Sequence, residues 1–113
     1  MIKAGKLRHL VTFQTPTVEI DSNGDATEAW TDAFGAQQIS AQIEPLSGRE
    51  LIAAQQVHSR VSTRITVRYR PGILPEMRVV HRGTYYNIEA VIPDPDSGFR
   101  HVTLLCYSGT NDG

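Results

Sequence analysis

Hydrophobic and polar positions alternate with a period of two through most of the chain, the repeat of a strand with one buried face. From Leu7 to Thr15, Leu7, His9, Val11 and Phe13 share one side and Arg8, Leu10, Thr12 and Gln14 the other. Past Pro16, Val18 and Ile20 continue the extended path to Asp21-Ser22-Asn23-Gly24-Asp25. There Asn-Gly predicts a type I′ hairpin turn, with a returning strand that carries Trp30. After Gly35, Ile39, Ala41 and Ile43 alternate with Ser40, Gln42 and Glu44 in a strand ending at Pro45. The pattern then changes. Leu51 to Val57 contains no Gly or Pro, and Ser47-Gly48-Arg49-Glu50 in front of it fits a capping box flanked by the Leu46/Leu51 staple, so one short helix is predicted.

The clearest strand follows: Val61, Thr63, Ile65, Val67 and Tyr69 on the core side, Ser62, Arg64, Thr66, Arg68 and Arg70 on the other. Pro71-Gly72 stops it. Met77 to His81 reads as a short strand turning at Arg82-Gly83 into Tyr85 to Ile92, in which Tyr86, Ile88, Ala90 and Ile92 share a face. Pro93-Asp94-Pro95-Asp96-Ser97-Gly98 is a dense turn, and Phe99 to Tyr107 forms the last strand. The expected fold is therefore mainly β: a small antiparallel β-barrel of six to seven strands with one short helix in a long inter-strand connection. Residues 1–107 make a single domain on this reading, with 108–113 a disordered tail. The expected core is Phe13, Ile43, Ile65, Val67, Ile88 and Leu104, with Trp30 at least partly covered.

A chain of 113 residues can bury one core without staples, and its lone Cys106 has no intramolecular disulfide partner. No stretch has the length and apolarity of a membrane span or of a signal-peptide core, so neither is expected. The four histidines, His9, His58, His81 and His101, lack the close pairing of metal ligands. Asp94-Pro95-Asp96 begins like a calcium loop but has Phe99 where the loop glycine belongs and Leu105 at its closing position. Cys106 alternates with Val102 and Leu104 and reads as a packing thiol. No nucleotide loop or nucleophile motif occurs, so no enzyme activity, cofactor or metal is expected.

Charge changes the picture more than composition does. The net charge is -1, yet Glu19 to Asp32 holds five acids and no Lys or Arg, while Arg60 to Arg82 holds six arginines opposed only by Glu76. Three readings of the arginine strand remain open: a solvated face, a monomeric OB-like single-stranded nucleic-acid-binding module, or a contact in which one copy's arginines meet the acidic hairpin of the next. In the last, Arg64, Arg68 and Arg70 face Asp21, Asp25 and Glu28.

Several segments together resemble the head-closure, or head–tail joining, proteins of tailed bacteriophages. These are Gly5-Lys6-Leu7-Arg8-His9 leading into Val11-Thr12-Phe13-Gln14, the Asp21 to Gly24 turn and Trp30, and Ala41-Gln42-Ile43-Glu44-Pro45-Leu46-Ser47-Gly48-Arg49-Glu50. Ile65-Thr66-Val67-Arg68-Tyr69 and Tyr86-Asn87-Ile88 complete the set, so the resemblance runs from about Gly5 to Tyr107. It implies a structural virion protein assembled in the bacterial host cytoplasm. Its expected form is a ring, commonly of twelve copies, at the portal vertex. Such a ring closes the DNA-filled head and offers a docking surface for the tail. The implied partners are further copies of the chain, a portal or adaptor connector protein, a tail protein and the genomic DNA in the channel, with no membrane. The connection carrying Ser47, Arg49, Glu50, Gln55, Gln56 and His58 resembles the family's channel or docking loop. A related tail-completion barrel is the nearest alternative within the same class.

Overall fold

The computed structural model describes residues 7–35 and 37–108. Seven strands and one helix run in the order β1 (His9–Ile20), β2 (Ala26–Asp32), β3 (Ile39–Pro45), α1 (Gly48–Val57), β4 (Thr63–Arg68), β5 (Arg78–His81), β6 (Thr84–Pro93) and β7 (His101–Ser108). All pairings are antiparallel within one sheet of order β2-β1-β3-β4-β7-β6-β5, and a further β1–β5 pairing closes six of the strands into a hydrogen-bonded ring. Ser108, placed by the sequence at the start of a tail, is the last residue of β7 and lies opposite Tyr86. The rest of that expected tail lies outside the described residues.

β1 does three jobs along its length. His9 to Val11 pair with β3, Thr12 to Gln14 pair with β5 across the closing seam, and Gln14 to Ile20 pair with β2. Beyond Gln14 the β1–β2 hairpin is therefore a two-stranded arm. The chain measures 50 × 29 × 26 Å with a radius of gyration of 15.0 Å, where a compact domain of this size has about 13 Å.

Strand alternation places the core inside the ring. Phe13, Ile65, Val67, Ile88 and Leu104 are buried together with Val11, Ala41, Val79, Val102 and Cys106, and Ile43 packs against them from a half-buried position. Phe34 stacks edge-on against Phe13, with ring centroids 5.6 Å apart. Trp30 is half-buried. In a close-packed interior of this kind each such side chain contributes about 1.5–3 kcal/mol of transfer free energy.

Four local expectations fail, each for a physical reason. The Asn23-Gly24 turn is not type I′, because only Gly24 has positive φ (+86°) and the loop has three residues, closed by Gly24 N–H donating to the Asp21 carbonyl (3.0 Å). The Asp21 carboxylate also accepts from the N–H groups of Asn23 and Asp25 (2.9 Å each), a local Asx geometry that holds Asn23 out of the left-handed region. The turn with two positive central φ values is Arg82-Gly83 (+51° and +82°), between the paired residues His81 and Thr84. Ser47 occupies the helix N-cap position but makes no side-chain cap hydrogen bond: Gly48 directly after it has a left-handed φ (+57°), outside ordinary first-turn geometry, and the Glu50 carboxylate that would make the return bond is bound by Arg64.

β6 carries a bulge between Ile88 and Ala90, with Ile88 opposite Cys106 and Ala90 already opposite Leu105. The extra residue turns the inward face from even to odd positions, so Val91 packs on the core while Ile92 points to solvent. Tyr69 lies one residue past β4 and is exposed rather than in the core.

Candidate functional site

Among the described residues there is no cluster of three or more potential metal ligands and no helix long and apolar enough to cross a membrane. Cys106 is fully buried, and desolvation pushes its thiol up to about 12. Asp94 is consumed by its own loop: its carboxylate accepts from the N–H groups of Asp96 (3.0 Å), Ser97 (2.8 Å) and Arg100 (2.8 Å) and from the Ser97 hydroxyl. Those backbone donors hold it well below the usual carboxylate range. It is a loop fastener.

The features that remain are surfaces. The first is α1, which joins β3 to β4. It buries none of its own residues, leaves Ile52 (63%) and Val57 (76%) exposed, and follows the buried anchor Leu46. Polar tethers hold it to the sheet. Arg64 on β4 binds Glu44 on β3 (3.0 Å) and Glu50 in the first helical turn. Gln55 donates to the Val61 carbonyl at 3.0 Å. The bulge aims Glu89 at the residues just past the helix, where its carboxylate meets Arg60 (2.9 Å) and His58 (4.0 Å). Burial pulls the Arg64 guanidinium down, but the hydrogen bonds to Glu50 and Glu44 outweigh it and the net shift is upward. Arg49 and Gln56 are exposed.

The second surface is the arm. Val18 and Ile20 lie on one face of it, both about two-thirds exposed, and opposite them stand Glu28 and Ala26. Asp21, Asp25 and Glu28 are all exposed. At the root of this face Arg78 is only 4% exposed, sandwiched between the rings of Trp30 and Tyr85 at 4.1 Å each, while its Nε donates to Gln14 at 2.7 Å. The stack joins β2, β5, β6 and β1 at the point where the arm leaves the ring.

The third surface is the end of the sheet where β4 stops. The proposed arginine face is split there: Arg64 is committed to two glutamates of its own chain, Thr66 is buried, Arg68 is exposed opposite His101, and Arg70 lies over the Phe34 ring at 4.7 Å. Tyr69 meets the exposed Phe99 edge-on, with centroids 5.2 Å apart. Next to this end, His9 and His81 stack at 4.9 Å beside Arg8 and Arg82. The sequence reading missed this pairing because the residues lie more than seventy positions apart and meet only through the β1–β5 seam. It missed Glu89 as an anchor because nothing in a period-two pattern announces a bulge.

The comparisons agree with one another. The family described as phage head completion protein matches residues 2–109. The head completion protein gp16 of Bacillus phage SPP1 is 32% identical over 106 residues, covering 92% of this chain and 90% of the relative. The head completion protein gp7 of Enterobacteria phage HK97 is 25% identical over 113 residues, 96% of this chain and 97% of that one. Among solved structures, the protein SF1141 from Shigella flexneri 2a matches with a TM-score of 0.76 at 25% identity, covering 98% of this chain and all (100%) of that one. A chain of a native gene transfer agent virion shares the fold with a TM-score of 0.56 at 14% identity, over 92% of this chain and 96% of that chain. Matched along nearly its whole length, this chain is a member of the phage head completion protein family, a structural component of the virion.

Proposed function

We propose that the protein forms a ring of identical subunits at the portal vertex, closes the DNA-filled head there, and provides the surface on which the tail docks. Its partners on this reading are further copies of itself, a portal or adaptor connector protein, a tail protein and the genomic DNA that passes through the channel. Assembly takes place in the host cytoplasm. The observation that carries the reading is α1. A ten-residue helix with no buried residue, held by ion pairs with Ile52 and Val57 exposed, presents apolar side chains for a neighbour to cover. The segment Ser47 to His58 is thus the docking or channel element, and the opposed charges of the arm and the β4 end serve contacts between subunits. Exposed ion pairs contribute only about 0–1 kcal/mol each, so apolar contact through α1 and the arm has to supply most of the affinity.

The test is complementation of a phage lacking its own copy with the double variant Ile52→Asp/Val57→Asp. Both side chains are exposed, so the fold should keep its circular dichroism and melting temperature. Filled heads without tails, or heads that have lost their DNA, are the expected result. Normal yields of tailed infectious particles would refute the assignment of α1.

A second reading has one observation behind it. The exposed Tyr69–Phe99 pair beside Arg68 and Arg70 is the combination that stacks and neutralises single-stranded nucleic acid. Tight, salt-sensitive binding of a single-stranded oligonucleotide by the monomer, weakened by Phe99→Ala, would favour it over the ring.

A further inference from the structure

Two clefts meet at the loop before β3 and share Gln38. One, of about 410 Å³, is lined by Arg8, His9, Leu10, Gln38, His81 and Arg82. The other, of about 360 Å³, runs from Gln38 to Arg68, Tyr69 and Arg70. Among the described residues that line them there is no carboxylate, so four arginines and two imidazoles border a depression made of the two adjoining clefts, while Arg8 and His9 also line a third cleft with Glu44. Its potential acts on its own members. Burial, with His9 and Arg82 close by, holds the His81 imidazole below its ordinary range. The depression is not uniformly polar, since Leu10 (53% exposed) and Tyr69 on its walls offer apolar surface, with Phe99 against Tyr69.

The arm has the opposite character. Its tip carries Asp21 and Asp25, its flanks Glu19 and Glu28, and its exposed apolar face Val18 and Ile20, with no Lys or Arg from Glu19 to Asp32. A lone two-stranded hairpin is marginal in water. Acid beside apolar on the arm matches cation beside apolar in the depression, and the chain is near neutral because it contains both.

We propose that the tip of the β1–β2 arm seats in the Arg8–His9–His81–Arg82 cleft of a second copy, with Asp21 and Asp25 toward the cations and Val18 and Ile20 toward Leu10. The contact rests on the assembly reading above and places the arm on residues beside the β1–β5 seam, whereas Arg64 binds Glu44 and Glu50 of its own chain. Where each pair of copies shares a single arm–cleft contact, the contact is heterologous and its repetition produces a ring or a filament.

Cysteine cross-linking tests it on the full chain, since Cys106 is buried and the two positions chosen, Asn23 and Leu10, are exposed. Asn23→Cys mixed with Leu10→Cys should give an intermolecular bismaleimide product, whereas Asn23→Cys mixed with Arg49→Cys, on the helix, should not. Arg82→Glu and the double change Asp21→Arg/Asp25→Arg should each lower the cross-linked yield about ten-fold, as loss of a complementary charge does at an interface. Mixing the two variants should restore it, because each then offers the other a matched surface. Association in the ultracentrifuge that survives both reversals, or cross-links that favour Arg49, would overturn this contact while leaving assembly intact. A chain that stays monomeric and uncross-linked at about millimolar concentration would overturn it as well. In that case the α1 complementation result decides the functional reading independently. If the cleft instead binds a 20-nucleotide DNA and Arg82→Glu abolishes that binding, its ligand is phosphate and the second-copy proposal falls.

Discussion

Replacing Arg78 with alanine removes the pin at the root of the arm, and the loss can be worked out from what the guanidinium touches. It lies at 4.1 Å over two rings, Trp30 and Tyr85, and is almost wholly out of water, a setting in which each cation–π contact contributes about 1–2 kcal/mol. The hydrogen bond from its charged Nε to Gln14 adds about 1.5–3 kcal/mol. Since contacts of one side chain are not additive and burial of the charge opposes them, the net loss expected for Arg78→Ala is about 3 kcal/mol. For a chain of this size that lowers the melting temperature by about 10 °C. Arg78→Lys keeps the charge but gives up the plane that stacks on both rings, so it should recover less than half of the loss. Arg60 is the internal control. It lies over Tyr107 at a similar 4.2 Å, but its side chain is 65% exposed, and Arg60→Ala should cost less than about 1 kcal/mol. Urea titration followed by tryptophan fluorescence reads both stability and the local environment, because Trp30 is the single tryptophan of the chain. Equal losses for Arg78→Ala and Arg60→Ala, or full rescue by lysine, would refute the stacking argument.

Three further outcomes follow from the same structure. Ile65→Ala, at a fully buried position between β3 and β7, should cost about 2–5 kcal/mol in the same titration, and a loss below about 1 kcal/mol would contradict the register. Ser47→Ala should change the melting temperature by less than the effect of about 0.5–2 kcal/mol that a side-chain cap would produce, because Ser47 makes no such bond; a larger drop means the box does form. Asp94 has a folded pKa below its unfolded value, so its stabilisation is complete above pH of about 4 and is lost as pH falls through the folded value. The urea midpoint of Asp94→Asn should therefore lie below wild type at pH 7 and approach it as the solution is acidified below pH of about 4; a gap independent of pH would contradict the backbone-donor account.

The strands were legible because alternation is a direct record of which face is buried, and Ile65, Val67 and Leu104 are where it placed them. It stopped being legible where one extra residue changed the phase. Ala90 and Ile92 continue the even-numbered pattern in the sequence, but the bulge before Ala90 makes Val91 the inward residue. Side-chain partnerships were less readable than faces. The Ser47–Glu50 spacing fits a capping box, yet Gly48 between them takes a left-handed φ and the Glu50 carboxylate goes to an arginine fourteen residues later on a paired strand. The arginine row looked uniform for the same reason, since spacing does not reveal that Arg64 alone of the three proposed contact residues lies within reach of two acids of its own chain. The Arg8–His9–His81–Arg82 cleft had no linear signature at all, because it exists only once β1 and β5 are side by side.

That same pairing gives the arm a mechanical role. β1 is continuous from the seam into the arm, and the seam is only three residue pairs long, Thr12–Val80, Phe13–Val79 and Gln14–Arg78. A pull on the arm travels along one unbroken backbone straight into one of the two shortest joints of the ring, with no loop to absorb it. Force applied at Asp21 to Asp25 is thus borne first by the last pair of that joint, where the guanidinium of Arg78 holds the arm's own Trp30, so the molecule has its rivet where the lever meets the hinge line.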